Sequence, residues 1–242
     1  MGQLPREAHA LVYVKDLDEL KLEEGDDRHL RRSLRLGPAE PVIAADGKGR
    51  WRLCRLHPTE PGFLEQSGPL EIDPPGFPEI TVAFPPLKGE RTELAVRGLT
   101  ELGVDRIVLI DTERSVVTWD PARAAQRLLR LERVAKEAGM QSRRARLPLI
   151  EGVLEVSAWL LQGAGRHRAV AHMGGGPPDL NTCEVAVGPE GGWDRSELDI
   201  AHVRVGLGPR VLRAETAALT VGAALCLLRE GIVRSAATER FR

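Results

Sequence analysis

Three glycine- and proline-rich turns carry the chemistry most easily read from this sequence: HMGGGPP (172–178), GPEGG (188–192) and GLGPRVLR (206–213). Each comes after a short apolar run, and the second leads straight into a helix-like start, WDRSEL. Glycine takes positive φ and lets backbone come close to a ligand. A strand, a glycine turn and a helix start in that order build a nucleotide-sized pocket in many folds. Together the three turns suit an adenosine-containing ligand held by backbone amides and carbonyls. They do not suit a triphosphate or a dinucleotide: no Lys-Ser/Thr follows the glycines, and G-x-G-x-x-G is absent. Just past the third turn stand a cation, Arg213, and a carboxylate, Glu215, at what reads as a helix start.

The elements that position these turns follow from periodicity and punctuation. ITVAFPPL (80–87), DRIVLIDT (105–112), RAVAHM (168–173), EVAVG (184–188) and VRVGLG (203–208) read as strands. ERTELAVRGLTELG (90–103) reads as a helix with Leu94, Ala95, Leu99 and Leu102 on one face. Asp120 and Pro121 open another, carrying Ala124, Leu128, Leu131, Ala135 and Ala138 and closed by Gly139. Asp194 with Glu197 has capping-box spacing, and ETAALTVGAALCLLREG (215–231) is a long apolar helix. Strands alternating with helices predict an α/β domain around a mostly parallel sheet, with helices on both faces. Such sheets bind ligands at the carboxyl ends of their strands, where the three turns lie.

Upstream the style differs. ALVYV (10–14), the two halves of EPVIAADGKGRWRLCRL (40–56) and GPLEI (68–72) read as strands, with DGKG as a hairpin turn. RHLRRSLRL (28–36) reads as a short helix with Leu30, Leu34 and Ser33 inward. The expected organisation is a small β-rich domain at 1–73, a linker at 74–79 (DPPGFPE spans it) and the α/β domain at 80–242.

Composition sets limits on function. The 242 residues have a formal net charge of −1 and three separated cysteines, Cys54, Cys183 and Cys226, with no C-x-x-C. This argues against a disulfide framework or zinc ribbon and fits a reducing compartment. No H-x-x-x-H pair points to a metal, the start shows no signal pattern, and no apolar run is long enough to cross a bilayer, so a cytoplasmic protein without metal or membrane partner is expected. Charge is unevenly spread. Residues 28–55 hold eight Lys/Arg against two acids, and residues 114–146 hold nine against three. Two basic blocks in a neutral chain suggest a polyanion-binding face.

The pair VGPEGGW…SELDIA and LGPRVLRAETAAL closely resembles the family that methylates N3 of a uridine in bacterial 16S (small-subunit) ribosomal RNA, within the SPOUT superfamily. The match continues in LKGERTELAVRGLTELGV (87–104), ERSV (113–116), QSRRARLP (141–148) and HLRRSLRLGPAEPVIAADGKG (29–49), so it spans most of the chain. Two departures stand out: Arg143 where a glycine is usual, and Trp193 where Phe, Ile or Leu is commoner.

The resemblance implies a trefoil-knotted SPOUT domain, an N-terminal PUA-like β-barrel that helps hold RNA, and a homodimer. It implies S-adenosylmethionine as cofactor, contacted by Met173, by Gly188, Pro189, Glu190, Gly191 and Gly192, and by Leu207, Gly208, Pro209, Arg210, Val211 and Leu212. The nucleophile, uridine N3, must lose a proton. Arg213, with Arg210, suits stabilising charge on the uracil oxygens, while Glu215 is either the proton acceptor or a helix-dipole partner. Glu190 is expected to brace its own loop through backbone amides. RNA contacts fall to Arg31, Arg32 and Arg35, and to Arg114, Gln141, Ser142, Arg143, Arg144 and Arg146. A SPOUT enzyme acting on another RNA or a ribose 2′-hydroxyl, and a non-catalytic assembly factor, are the competing readings.

Overall fold

The computed structural model describes residues 4, 5, 7–162 and 168–234; residues 1–3, part of the start searched for a signal, lie outside these. The chain forms two compact units, one of Met1–Pro75 with Lys136–Leu147 and the other of Gly76–Ala135 with Pro148–Arg242.

The first unit holds β1 (Ala10–Tyr13), α1 (Asp26–Arg28), a π-helical turn (His29–Ser33), β2 (Pro41–Ala45), β3 (Arg50–Leu56) and β4 (Leu64–Ile72). The strands make a four-stranded sheet in the order β1-β2-β3-β4, parallel between β1 and β2 and antiparallel elsewhere. The DGKG turn joins β2 to β3, with Gly47 and Gly49 at φ 73° and 100°. Leu30 is fully buried, but Leu34 is 43% exposed and Ser33 lies outward. The wider π-turn carries them away from the face a regular helix would give them.

The segment 136–147, expected in the second domain, packs in this unit. Burial pushes the Tyr13 phenol well above its usual range, so it stays a donor, and its hydroxyl donates to the Arg144 carbonyl at 2.6 Å. Gly139 does not end its helix. It sits against the Tyr13 hydroxyl and the Leu147 side chain, where no Cβ fits.

The second unit holds β5 (Thr81–Phe84), α2 (Arg91–Leu102), β6 (Arg106–Asp111), the start of α3 (Pro121–Gln141), β7 (Leu149–Glu155), α4 (Val156–Leu161), β8 (Ala169–Gly176), β9 (Glu184–Ala186), α5 (Arg195–Ile200), β10 (Val203–Val205) and α6 (Ala214–Arg229). Its six strands pair in parallel in the order β10-β8-β9-β5-β6-β7. A parallel sheet is buried on both faces, which explains the unbroken apolar runs of β5 and β6. Val82, Phe84, Ile107 and Leu109 face α2, α3 and α6, while Ala83, Val108 and Ile110 face α4 and α5.

On α2 the buried residues are Thr92, Ala95, Val96, Leu99 and Thr100. Leu94, 49% exposed, lies round the helix from them, and Leu102, 36% exposed, lies at their margin, contrary to the sequence expectation. The strand and helix in 149–161 are elements that the sequence pattern does not assign. No glycine or proline separates them, and the helix is capped by Glu155, whose carboxylate accepts from the amides of Ser157 and Ala158.

Candidate functional site

A cavity of about 410 Å³ opens beside β8 and among the turns that follow its neighbours β9 and β10. The stretch HMGGGPP, expected as a turn, continues β8 as far as Gly176, and it is Ala171, His172 and Met173 within the strand that border the cavity. Its wall includes Met173, Gly188, Pro189, Glu190, Gly192, Leu207, Gly208, Arg210, Val211 and Leu212, all expected from sequence. Two expected residues, Gly191 and Pro209, are not part of that wall. Ala171, His172, Val187, Trp193, Leu198, Ala214 and Ala217 complete it.

Glycine makes this shape possible at specific points. Gly192 and Gly208 adopt φ 72° and 105°, and space is open where a Cβ would stand. Gly191 is different: its φ is not left-handed, and a Cβ there would meet Arg114 Cβ at 3.2 Å. Gly188 lies under the indole of Trp193, whose N–H donates to the Ala171 carbonyl at 2.9 Å. Trp193 therefore ties the second turn to β8.

The strand–turn–helix after β9 is held from several sides. Asp194 and Glu197 form the expected capping box at the start of α5. Buried Glu197 also accepts from the Glu113 amide at 3.0 Å, so the ERSV segment braces this helix start. Arg114 donates to Asp194 Oδ2 at 3.0 Å and to the Gly191 carbonyl at 3.4 Å. Hydrogen bonds from the Ser196 amide and hydroxyl, then from Arg114, hold the Asp194 carboxyl below its ordinary range.

One residue the sequence reading did not single out joins the predicted carboxylates. Arg91, the first residue of α2, pairs through Nη2 with Glu190 Oε1 at 2.9 Å and through Nη1 with Glu215 Oε2 at 3.5 Å. Its Nε donates to the Lys88 carbonyl at 3.1 Å. Glu190 is thus held by a side chain, where the expected brace was its own backbone amides. Glu215, in the first turn of α6, is buried, and its Oε2 accepts no hydrogen bond among the described residues. Arg213 is the exposed N-cap residue of α6, with no side-chain capping bond. The motif LKGERTE already contained Arg91, but nothing in its spacing named partners about a hundred residues away.

The residues expected to meet RNA differ in their surroundings. Arg31 is tied down, to Asp27 at 2.8 Å and the His57 carbonyl at 3.0 Å. Arg146 donates to the Asp73 carbonyl at 3.0 Å, and the Ser142 hydroxyl returns to the Ala138 carbonyl at 2.8 Å. Arg144 lends its carbonyl to Tyr13. Arg32, Arg35, Gln141 and Arg143 are exposed, and Arg35 and Arg143 both have φ 56°. Among the described residues no cluster of His, Cys, Asp and Glu suits a metal, and no helix is long and apolar enough to cross a membrane.

An RNA methyltransferase domain family matches residues 75–226. The ribosomal RNA small subunit methyltransferase E of Mycobacterium bovis is 33% identical over 229 residues, covering 86% of this chain and 87% of that protein. Among solved structures, a probable rRNA-methyltransferase from Porphyromonas gingivalis superposes with TM-score 0.79 at 26% identity, covering 93% of this chain and 100% of the other. The ribosomal RNA small subunit methyltransferase E from Neisseria gonorrhoeae, solved bound to S-adenosyl methionine, superposes with TM-score 0.75 at 26% identity, covering 90% and 96%.

Proposed function

Because this chain belongs to the ribosomal RNA small subunit methyltransferase E family, we propose that it transfers a methyl group from S-adenosylmethionine to N3 of a uridine in 16S (small-subunit) ribosomal RNA. The observation that carries the reading is the cavity beside β8 and the carboxyl ends of β9 and β10, lined by all but two of the residues expected to meet the cofactor. Its volume falls in the usual range for sites that bury a small ligand. Its wall suits the proposed ligand chemically: bare backbone at Gly192 and Gly208 for polar edges, and Leu207, Leu212 and Trp193 for apolar ones.

The bound cofactor supplies an electrophilic methyl group, so the protein's work is placement and charge control. Met173 and Leu212 would wall the cofactor, and Gly188, Pro189, Glu190 and Gly192 would offer it the turn after β9, of which Gly191 is also part. Leu207, Gly208, Arg210 and Val211 line the third turn, and Pro209 stiffens it. Arg213, exposed at the N-terminus of α6, is free to turn toward uracil oxygens as charge grows on them; Arg210 stands on the same turn. Glu215, buried just behind, takes the N3 proton. A uridine paired through N3 must leave its helix first.

Within the N-terminal unit RNA is held by Arg31, Arg32, Arg35, Gln141, Ser142, Arg143, Arg144 and Arg146, and within the second unit by Arg114. The N-terminal unit reads as PUA-like, supported by its mixed four-stranded sheet and basic helical turn. The trefoil knot is part of this proposal; where it would close, Gly175 and Gly206 bring the ends of β8 and β10 together with no room for side chains. A homodimer acting in the cytoplasm completes the proposal, without metal or membrane.

The test is a map of modified nucleotides by mass spectrometry of small-subunit rRNA from cells with and without this gene. Loss of one N3-methyluridine in the deleted strain supports the reading. An unchanged map, or loss of a ribose methyl instead, overturns it.

A further inference from the structure

Glu190 lies in the cavity wall and Glu215 opens α6, 25 positions later in the chain, yet one guanidinium reaches both. Two carboxylates brought together repel, so this arrangement needs a cation between them. Arginine is suited to the place because its planar fork presents separate N–H groups to separate acceptors, whereas an ammonium is a compact point charge. Arg91 is also anchored: its Nε donates to the Lys88 carbonyl, which leaves both Nη groups to face the carboxylates. The two contacts differ. The Glu190 pair is at hydrogen-bond distance, 2.9 Å, whereas the Glu215 pair stands at 3.5 Å and leaves Oε2 without a hydrogen bond among the described residues. Glu215 is thereby held by charge across a longer gap, with its buried Oε2 committed to no hydrogen bond among the described residues.

We propose that Arg91 is a positioning residue that couples the cofactor loop to the proton acceptor, by pairing with Glu190 and Glu215 at once. This rests on the assignment of Glu215 as the acceptor of the N3 proton. Through Glu190 it keeps the GPEGG turn in its cofactor-binding shape. Through Glu215 it keeps the carboxylate fixed in the first turn of α6. It touches neither reactant, and Arg91 itself is absent from the cavity wall.

A purely structural arginine lowers thermal stability and multiplies with every other defect. A coupling residue instead splits its effect between two parameters, each lost only once. The experiment measures methyl transfer to a small-subunit rRNA fragment with the full-length protein, under steady-state and single-turnover conditions. The variants are Arg91→Ala, Arg91→Lys, Glu190→Gln and Glu215→Gln, and the doubles carrying Arg91→Ala with each glutamine. Circular dichroism melting checks that each variant still folds, and calorimetry measures its affinity for S-adenosylmethionine.

Removing one charge-assisted contact corresponds to roughly tenfold or more in the parameter it serves. Glu190→Gln should raise KM for S-adenosylmethionine with kcat little changed, Glu215→Gln should lower kcat, and Arg91→Ala should do both. Arg91→Ala should add no further kcat loss on Glu215→Gln and no further KM rise on Glu190→Gln. Arg91→Lys, with one compact charge, should recover one parameter and not both. Millimolar guanidinium should partly restore Arg91→Ala and leave Glu215→Gln unaffected. Multiplicative losses in the doubles, or an Arg91→Ala enzyme changed in KM alone, overturn the coupling while Glu215 stands as acceptor. Wild-type turnover by Glu215→Gln removes that acceptor and the inference with it.

Discussion

Gly175 and Gly206 pass so closely that a Cβ on Gly175 would lie 2.6 Å from the Gly206 amide nitrogen, and one on Gly206 would lie 2.5 Å from the Gly175 carbonyl oxygen. The neighbouring Gly206 amide donates to the Gly176 carbonyl at 2.7 Å, so the two strand ends are in backbone contact. A methyl group at either place meets backbone, which cannot rotate away as a side chain can. Gly175→Ala or Gly206→Ala is expected to cost about 2–4 kcal/mol, in the range of severe overpacking. Urea unfolding checks it. An unchanged midpoint for both variants would contradict the close passage.

Gly192 and Gly191 are adjacent but predict different outcomes. At Gly192 the left-handed φ makes any larger residue strained, and the space beside it belongs to the cavity. Gly192→Val is therefore expected to weaken S-adenosylmethionine binding by at least tenfold through strain and filled volume. Gly191→Ala meets only Arg114, at 3.2 Å, and should change affinity by less than about threefold, half a contact's worth. Isothermal calorimetry on both variants compares them directly, and the reverse order would shift the cofactor contact to Gly191.

Arg143 holds φ 56°, a conformation that suits glycine, at the position where the resembling family usually has one. A non-glycine residue there carries a cost on the order of 1 kcal/mol, offset in part by the greater chain entropy that glycine loses on folding. Arg143→Gly is expected to hold or raise the thermal midpoint, and Arg143→Val to lower it, because a β-branched residue tolerates positive φ worst. Calorimetric melting of the three proteins tests this order. A Val variant as stable as wild type would mean that the turn relaxes.

The N-terminal arginines separate a structural cation from exposed ones. Arg31 is paired with Asp27 and the His57 carbonyl, whereas Arg32 and Arg35 are exposed. Replacing Arg32 and Arg35 by alanine should flatten the logarithmic salt dependence of RNA binding by about two units, near one per lost phosphate contact, with the melting midpoint unchanged. Arg31→Ala should lower the midpoint instead. Filter-binding titrations across salt concentrations give the slope, and an unmoved slope for the double variant would remove this block from the RNA surface.

Local signals in the sequence carried far. The Asp194–Glu197 box, the apolar runs of β5 and β6, and the two glycine turns after β9 and β10 that line the cavity are each encoded within a few residues, whereas the glycines of 174–176 extend β8. What escaped depended on distance or on atypical chemistry. Arg91 finds Glu190 and Glu215 only after folding, and Tyr13 finds the Arg144 carbonyl across 131 positions. The α2 face was misread because leucine hydrophobicity at Leu94 and Leu102 outweighed phase, while the smaller Ala95 and Thr92 hold the buried stripe. The β7–α4 junction was missed because glutamate, uncommon as an N-cap, does the capping.

Trp193 gives the molecule a built-in optical reporter. Of the four tryptophans, Trp51 belongs to the N-terminal unit, Trp119 lies under the Arg127 guanidinium and Trp159 lies beside that of Arg168; the Trp193 indole alone among them borders the cavity. Its emission should respond when the cavity fills, while the other three form a constant background. Cofactor titrations can then be followed by intrinsic fluorescence without a label, and Trp193→Phe provides the silent control.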